Sequence, residues 1–125
     1  MEHDEVNWTG LRVLVVDDEP GILELFRDEL ESSGATVTIA SSGDEASALL
    51  KKEEYDIVFL DLVMPGGDGF SVINNSDIKL PATLIITGYP LDQNPPSIGK
   101  IPILRKPFSW EDLNERSKSL LAQQA

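Results

Sequence analysis

Three segments, LRVLVVDD (Leu11 to Asp18), YDIVFLD (Tyr55 to Asp61) and ATLIIT (Ala82 to Thr87), are nearly unbroken apolar runs, and each closes on a polar residue. A strand with one wet face alternates apolar and polar residues. A strand that is apolar at successive positions belongs in a parallel sheet covered on both faces. The intervening segments supply the cover. PGILELFRDELESSG carries Pro20 where a helix opens, an apolar stripe of Ile22, Leu23, Leu25, Phe26 and Leu30, and Gly34 where the helix stops. ATVTIA (Ala35 to Ala40) is a short strand, and SSGDEASALLKKEE is a loop and second helix with Ala46, Leu49 and Leu50 inward. The third helix, in DGFSVINNSDIKL, has to be short, because Asn, Ser and Asp favour turns. KIPILRK is a fifth strand, and Ser109 with Asp112 forms a capping box for the last helix, SWEDLNERSKSLLAQQ.

Alternating strands and helices of this kind predict an α/β protein with a doubly wound, five-stranded parallel sheet. Pro102 cannot donate to a ladder, so the fifth strand belongs at an edge. The order 2-1-3-4-5 satisfies this and puts strands one and three side by side in the centre. At 125 residues and 13.7 kDa, 1–125 reads as a single domain, with 1–10 expected to be a flexible tail containing the one histidine, His3. No cysteine is present, which excludes disulfides and thiolate metal sites. The N-terminus is acidic and lacks a signal peptide's apolar core, and no apolar run is long enough to span a bilayer; a cytoplasmic protein with no membrane partner is expected. Twenty-two acids against ten bases give a net charge of −12, which argues against nucleic acid and favours a cation or a basic protein surface as partner. Solubility alone also accounts for the total charge.

The strand ends carry the chemistry. Asp17 and Asp18 close the first strand, Asp61 the third, Thr87 the fourth and Lys106 the fifth. Open α/β sheets bind ligands beyond the carboxyl ends of their strands, so these residues face one crevice. Carboxylates converging there, with Glu19 nearby, repel one another unless a cation sits among them. With only oxygen donors available, Mg²⁺ is the natural choice. Each residue also has a plainer reading: the aspartate pair as a helix N-cap, Thr87 as the start of a turn, Lys106 as a solvated lysine.

Taken together and in this order, VLVVDDEP, DIVFLDLVMPGGDGF, LIITG and LRKPF resemble the receiver domain of two-component response regulators, over about Leu11 to Leu121. The resemblance implies the flavodoxin-like receiver fold. It implies Asp61 as phosphoacceptor from a histidine kinase or histidine phosphotransfer protein, and Mg²⁺ held by Asp17, Asp18, Asp61 and the backbone carbonyl of Val63. Thr87 would hydrogen-bond the phosphoryl group, Lys106 would pair with it, and the Lys106–Pro107 bond matches a position usually cis. Such a domain is a signalling phosphoacceptor that assists its own phosphorylation and dephosphorylation, rather than an enzyme with a substrate. Glycines at 66 and 67 would let the backbone turn tightly beside the acceptor.

Two features depart from the family pattern. Residues 88–100, GYPLDQNPPSIGK, are long enough to cross over but too rich in proline for a helix, so a loop is expected in place of the family's fourth helix. Ile103 stands where the family usually has an aromatic switch residue, and Tyr89 is the nearest substitute. The loop and the TGY sequence resemble the branch of receivers paired with HWE-type histidine kinases. If the chain is a whole protein, as the start at Met1 favours, a stand-alone switch or phosphorelay shuttle acting through contacts with a downstream protein is expected; a piece of a larger protein is the other reading. The alternative is a non-phosphorylated docking module. Its mark would be a missing acid, Thr or Lys, and none is missing. A phosphatase of the Asp-x-Asp type lacks its second aspartate here, and no Gly-x-Gly-x-x-Gly follows the first strand.

Overall fold

The computed structural model describes residues 6–62, 64, 69–88 and 99–123. The elements run β1 (Arg12–Val16), α1 (Pro20–Ser32), β2 (Thr36–Ala40), α2 (Gly43–Lys52), β3 (Ile57–Leu60), α3 (Gly69–Ile73), β4 (Ala82–Thr87), β5 (Ile103–Arg105) and α4 (Trp110–Gln123). All strand pairings are parallel, in the expected order β2-β1-β3-β4-β5. Pro102 precedes the short edge strand β5.

The two-residue period of a strand sorts its side chains between the two faces. Val13, Val15, Ile57, Phe59, Leu84 and Ile86 pack against α1 and α4, with Phe26 meeting Phe59 at 5.4 Å between ring centroids. Leu14, Val16, Val58 and Leu60 point the other way, onto Ala46 of α2 and Val72 of α3. Both faces are covered, which is why β3 and residues 13–16 of β1 are apolar at every position.

Local signals set the helix ends. The Ser42 Oγ accepts from the Glu45 backbone N–H at 3.1 Å, and the Glu45 carboxylate accepts from the Ser41 N–H at 2.8 Å, closing the start of α2. Ser109 likewise accepts from the Asp112 N–H at 3.0 Å at the head of α4. Gly34, at φ 104°, turns the chain after α1 as expected.

Two expectations need correction. Leu25 does not belong to the α1 stripe: it is 48 % exposed, whereas Leu23, Phe26 and Leu30 are buried. At about 100° per residue, positions 23, 26 and 30 share a face that position 25 does not. The N-terminal segment is also not a free tail throughout. Trp8 is 4 % exposed, packs 6.2 Å from Phe59, and its indole N–H donates to Asn114 Oδ1 of α4 at 3.1 Å. Gly10 N–H donates to the Gly34 carbonyl, pinning the segment to the α1–β2 turn. A large indole with a partner for its one polar atom gains more from burial than the short segment loses in entropy. His3 lies outside the described residues, as does the stretch 89–98 for which a loop was expected; the described residues between β4 and β5 contain no helix.

Candidate functional site: a carboxylate cluster at the C-terminal edge of the sheet

Ladder register assembles the site. Val16 pairs with Leu60, so the next residues, Asp17 and Asp61, emerge side by side. Their backbones continue the ladders: Asp61 N–H donates to the Val16 carbonyl at 2.9 Å, and Asp17 N–H to the Ala40 carbonyl at 3.1 Å. At the other side, Thr87 pairs with Arg105, and Lys106 N–H donates back to the Thr87 carbonyl at 3.0 Å. Backbone hydrogen bonding therefore anchors Asp17, Asp61 and Lys106 before any side chain interacts. The Lys106–Pro107 peptide is cis, as expected.

Asp17, Asp18 and Asp61 each offer a carboxylate oxygen, and these oxygens lie within 4.8 Å of one another. Asp17 and Asp61 are buried and Asp18 is exposed. Asp17 also accepts from the Glu19 backbone N–H at 3.0 Å, which orients its carboxylate. It is not the helix N-cap: that position is Glu19, with no side-chain capping bond, followed by Pro20. Thr87 closes β4 at 1 % exposure.

Lys106 supplies the opposing charge. Its Nζ donates to Asp17 Oδ2 at 2.8 Å and stands 3.5 Å from Glu19 and 3.6 Å from Asp61. Burial pushes its ammonium down, but the hydrogen bond to Asp17 and the charges of Asp17, Asp61 and Glu19 outweigh that and hold it above its ordinary 10.5. Lys106 is thus a fixed cation inside an acidic crevice, and the solvated-lysine reading does not hold.

The donor set suits a hard divalent ion. Octahedral Mg²⁺ takes oxygens at roughly 2.0–2.1 Å, so opposite ligands are about 4.2 Å apart. The three carboxylate oxygens, all within 4.8 Å of one another, lie near that span. Val63, expected to contribute its carbonyl, lies outside the described residues, as do Gly66, Gly67 and Tyr89.

Gly69 is a site-supporting residue that the sequence reading passed over. It opens α3, its N–H donates to the Leu62 carbonyl at 2.9 Å, and any Cβ there would collide with the Asp61 carbonyl oxygen and come within 2.9 Å of Leu62 Cα. Three glycines stand within four residues of this stretch, and nothing in the sequence marks Gly69 as one against which the Asp61 backbone packs.

The carboxylate trio and the opposed lysine meet at the edge where β4 ends on the buried Thr87, on a parallel sheet of order 2-1-3-4-5. In comparison with known proteins, residues 13–118 match the model of the response regulator receiver domain, and the chain belongs to that family. Among curated relatives, the transcriptional regulatory protein TrcR of Mycobacterium tuberculosis is 35 % identical over 117 residues, covering 89 % of this chain and 45 % of TrcR. ResD of Bacillus subtilis is 35 % identical over 122 residues, covering 94 % and 50 %. The chain thus spans about half the length of these relatives. A CheY-like receiver domain protein from Methanospirillum hungatei superimposes with a TM-score of 0.82 at 28 % identity, covering 93 % of this chain and 97 % of that one. TrrA of Thermotoga maritima, solved in complex with Mg²⁺ and BeF, gives 0.76 at 33 % identity, covering 88 % and 98 %.

Receiver domains are signalling domains of two-component systems. They pair with histidine kinases and bind Mg²⁺ at an acidic cluster of this kind. The curated relatives named above are transcriptional regulators, so the charge argument against nucleic acid concerns this chain's own surface and does not exclude DNA downstream. No helix among the described residues is long and apolar enough to cross a membrane.

Proposed function

We propose that Asp61 accepts a phosphoryl group from the phosphohistidine of a histidine kinase or histidine phosphotransfer protein, and that the aspartyl phosphate alters the contacts of this domain with a downstream protein. The observation that carries this reading is the meeting of three carboxylates within 4.8 Å with the Lys106 ammonium 3.6 Å from Asp61. In the transfer, an Asp61 carboxylate oxygen forms a bond to phosphorus while the bond from phosphorus to the imidazole nitrogen breaks. The electron pair of that bond stays on the imidazole.

Such a reaction asks the protein for positioning and charge neutralisation. Asp17 and Asp18, with Asp61 and the Val63 carbonyl, would hold Mg²⁺, which supplies a counter-charge between the carboxylates and the incoming phosphoryl oxygens. Asp61 is held in line by its backbone bond to Val16. Lys106 stays protonated at neutral pH and needs only a short movement from Asp17 to reach an oxygen on phosphorylated Asp61. Thr87 offers a hydroxyl from the end of β4 to a second oxygen.

The test is intact mass after incubation with Mg²⁺ and acetyl phosphate. Wild type should gain one phosphoryl group, about 80 Da, and Asp61→Asn none. A gain retained in Asp61→Asn overturns the assignment. If wild type gains nothing from acetyl phosphate or from a phosphorylated histidine kinase, the docking-module reading replaces it.

A further inference from the structure

At the other end of the sheet, about 20 Å along β3 from Asp61 at ~3.3 Å per residue, the last turn of α2, the start of β3 and the approach to β4 border a cavity of about 520 Å³. Small-molecule sites commonly enclose roughly 300–1,000 Å³. Leu80 and Pro81 give this one an apolar wall, while Lys51, Lys52 and Lys79 line it with positive charge. The chain has only ten basic residues against twenty-two acidic ones, so three lysines on one cavity is a marked local reversal. Two glutamates also line it. Glu53 is occupied by the Arg12 guanidinium at 2.6 Å, and Glu54 is exposed.

Lys51 and Lys52 alone would be explained by the dipole at the C-terminus of α2. Lys79 comes from a different segment, so the helix does not account for the convergence. Tyr55 adds an independent observation. It lines the cavity at 8 % exposure, its ring lies beneath the Arg12 guanidinium at 5.4 Å, and its buried hydroxyl has no hydrogen-bond partner among the described residues. Phenylalanine would fill the same space without leaving a polar group unsatisfied. The hydroxyl has a use only if something else bonds to it.

We propose that this cavity binds a small organic oxyanion, a phosphoryl or carboxylate head on a compact apolar body. The head sits among Lys51, Lys52 and Lys79 and accepts a hydrogen bond from the Tyr55 hydroxyl, and the body rests on Leu80 and Pro81. Because the hydroxyl is buried, the head reaches it only as side chains packed around Tyr55 move aside.

The test is amide NMR on the full chain without Mg²⁺, titrating phenylphosphonate, benzoate and inorganic phosphate separately. The expected result is saturable shifts at amides 50–55 and 79–80 with at least one aromatic probe, and none at Asp17, Asp18, Asp61 or Thr87. Tighter phenylphosphonate assigns a phosphate ester as ligand, and tighter benzoate a carboxylate. Lys51→Gln with Lys79→Gln should weaken binding at least tenfold. Tyr55→Phe should weaken it about fivefold yet melt, ligand-free, no lower than wild type, an outcome a purely structural tyrosine would not produce. The proposal is overturned if neither aromatic probe saturates, if shifts fall only at the carboxylate cluster, or if Tyr55→Phe binds unchanged. Equal shifts from inorganic phosphate that vanish at about 0.3 M salt would also overturn it, as a loose counter-ion atmosphere.

Discussion

Replacing Lys106 by methionine separates two roles of its ammonium that act in opposite directions. Nζ is 2.8 Å from Asp17, 3.5 Å from Glu19 and 3.6 Å from Asp61, with the Lys106 side chain 19 % and the Asp17 side chain 4 % exposed. Removing one member of a buried ion pair typically costs 3–5 kcal/mol, and the residual exposure of Lys106 lowers the expectation to about 2–4 kcal/mol. The same ammonium opposes the metal. A divalent ion and an ammonium repel by about 2 kcal/mol at a separation of about 4 Å in the dielectric of water, and by more in a partly buried crevice. Lys106 therefore has to leave Asp17 as the metal enters. Lys106→Met, lacking that competition, should bind Mg²⁺ at least about tenfold more tightly, the equivalent of 1.4 kcal/mol or more. Calorimetric Mg²⁺ titration measures the affinity, and urea unfolding with and without saturating Mg²⁺ measures stability. The variant should be less stable than wild type without metal and recover more of the difference with it. Unchanged or weaker Mg²⁺ affinity in Lys106→Met would refute the idea that lysine and metal compete for one set of carboxylates.

Three further outcomes are expected. Gly69→Ala drives a Cβ against the Asp61 carbonyl oxygen, a rigid backbone neighbour, so it should destabilise by about 1–3 kcal/mol and slow phosphoryl gain from acetyl phosphate; wild-type behaviour in both would show that the α3 start can shift freely. Trp8→Ala empties a buried site beside Phe59 and leaves Asn114 without its donor, so denaturant unfolding should show a loss of about 3–5 kcal/mol. The pH dependence follows from the raised pKa of Lys106: its contribution is fully present below the unfolded value of about 10.4 and is lost as pH rises through the higher folded value. The stability gap between metal-free wild type and Lys106→Met should then stay constant from neutral pH to about 9.5 and shrink only above about 10.5.

The curated relatives named above and the superimposed receivers place this chain in a signalling family, yet its own residues adapt the scheme. Ile103, at the position where the resemblance implies an aromatic residue, is partly buried against the cluster of Leu62 and Ile85. An aliphatic side chain packed there cannot swing as a flat ring does.

Most of the sheet was legible because parallel strands covered on both faces leave an unambiguous mark, continuous apolar runs that stop on functional residues. Pro102 identifies the edge, and the five polar residues that close four of the strands mark the crevice. What sequence could not decide was pairwise. That Lys106 bonds to Asp17 rather than Asp61 depends on distances of 2.8 and 3.6 Å set by the register of β1, β3 and β5. That Gly69 packs on the Asp61 backbone depends on where α3 begins. Trp8 reads as tail because its partners, Phe59 and Asn114, are distant in sequence, and Tyr55 reads as one more apolar strand residue until its hydroxyl is seen without a partner. Periodicity and strand-end chemistry are local and written along the chain. Which charges touch, which glycine is crowded and which hydroxyl is stranded arise only when segments far apart in sequence are brought within a few ångströms.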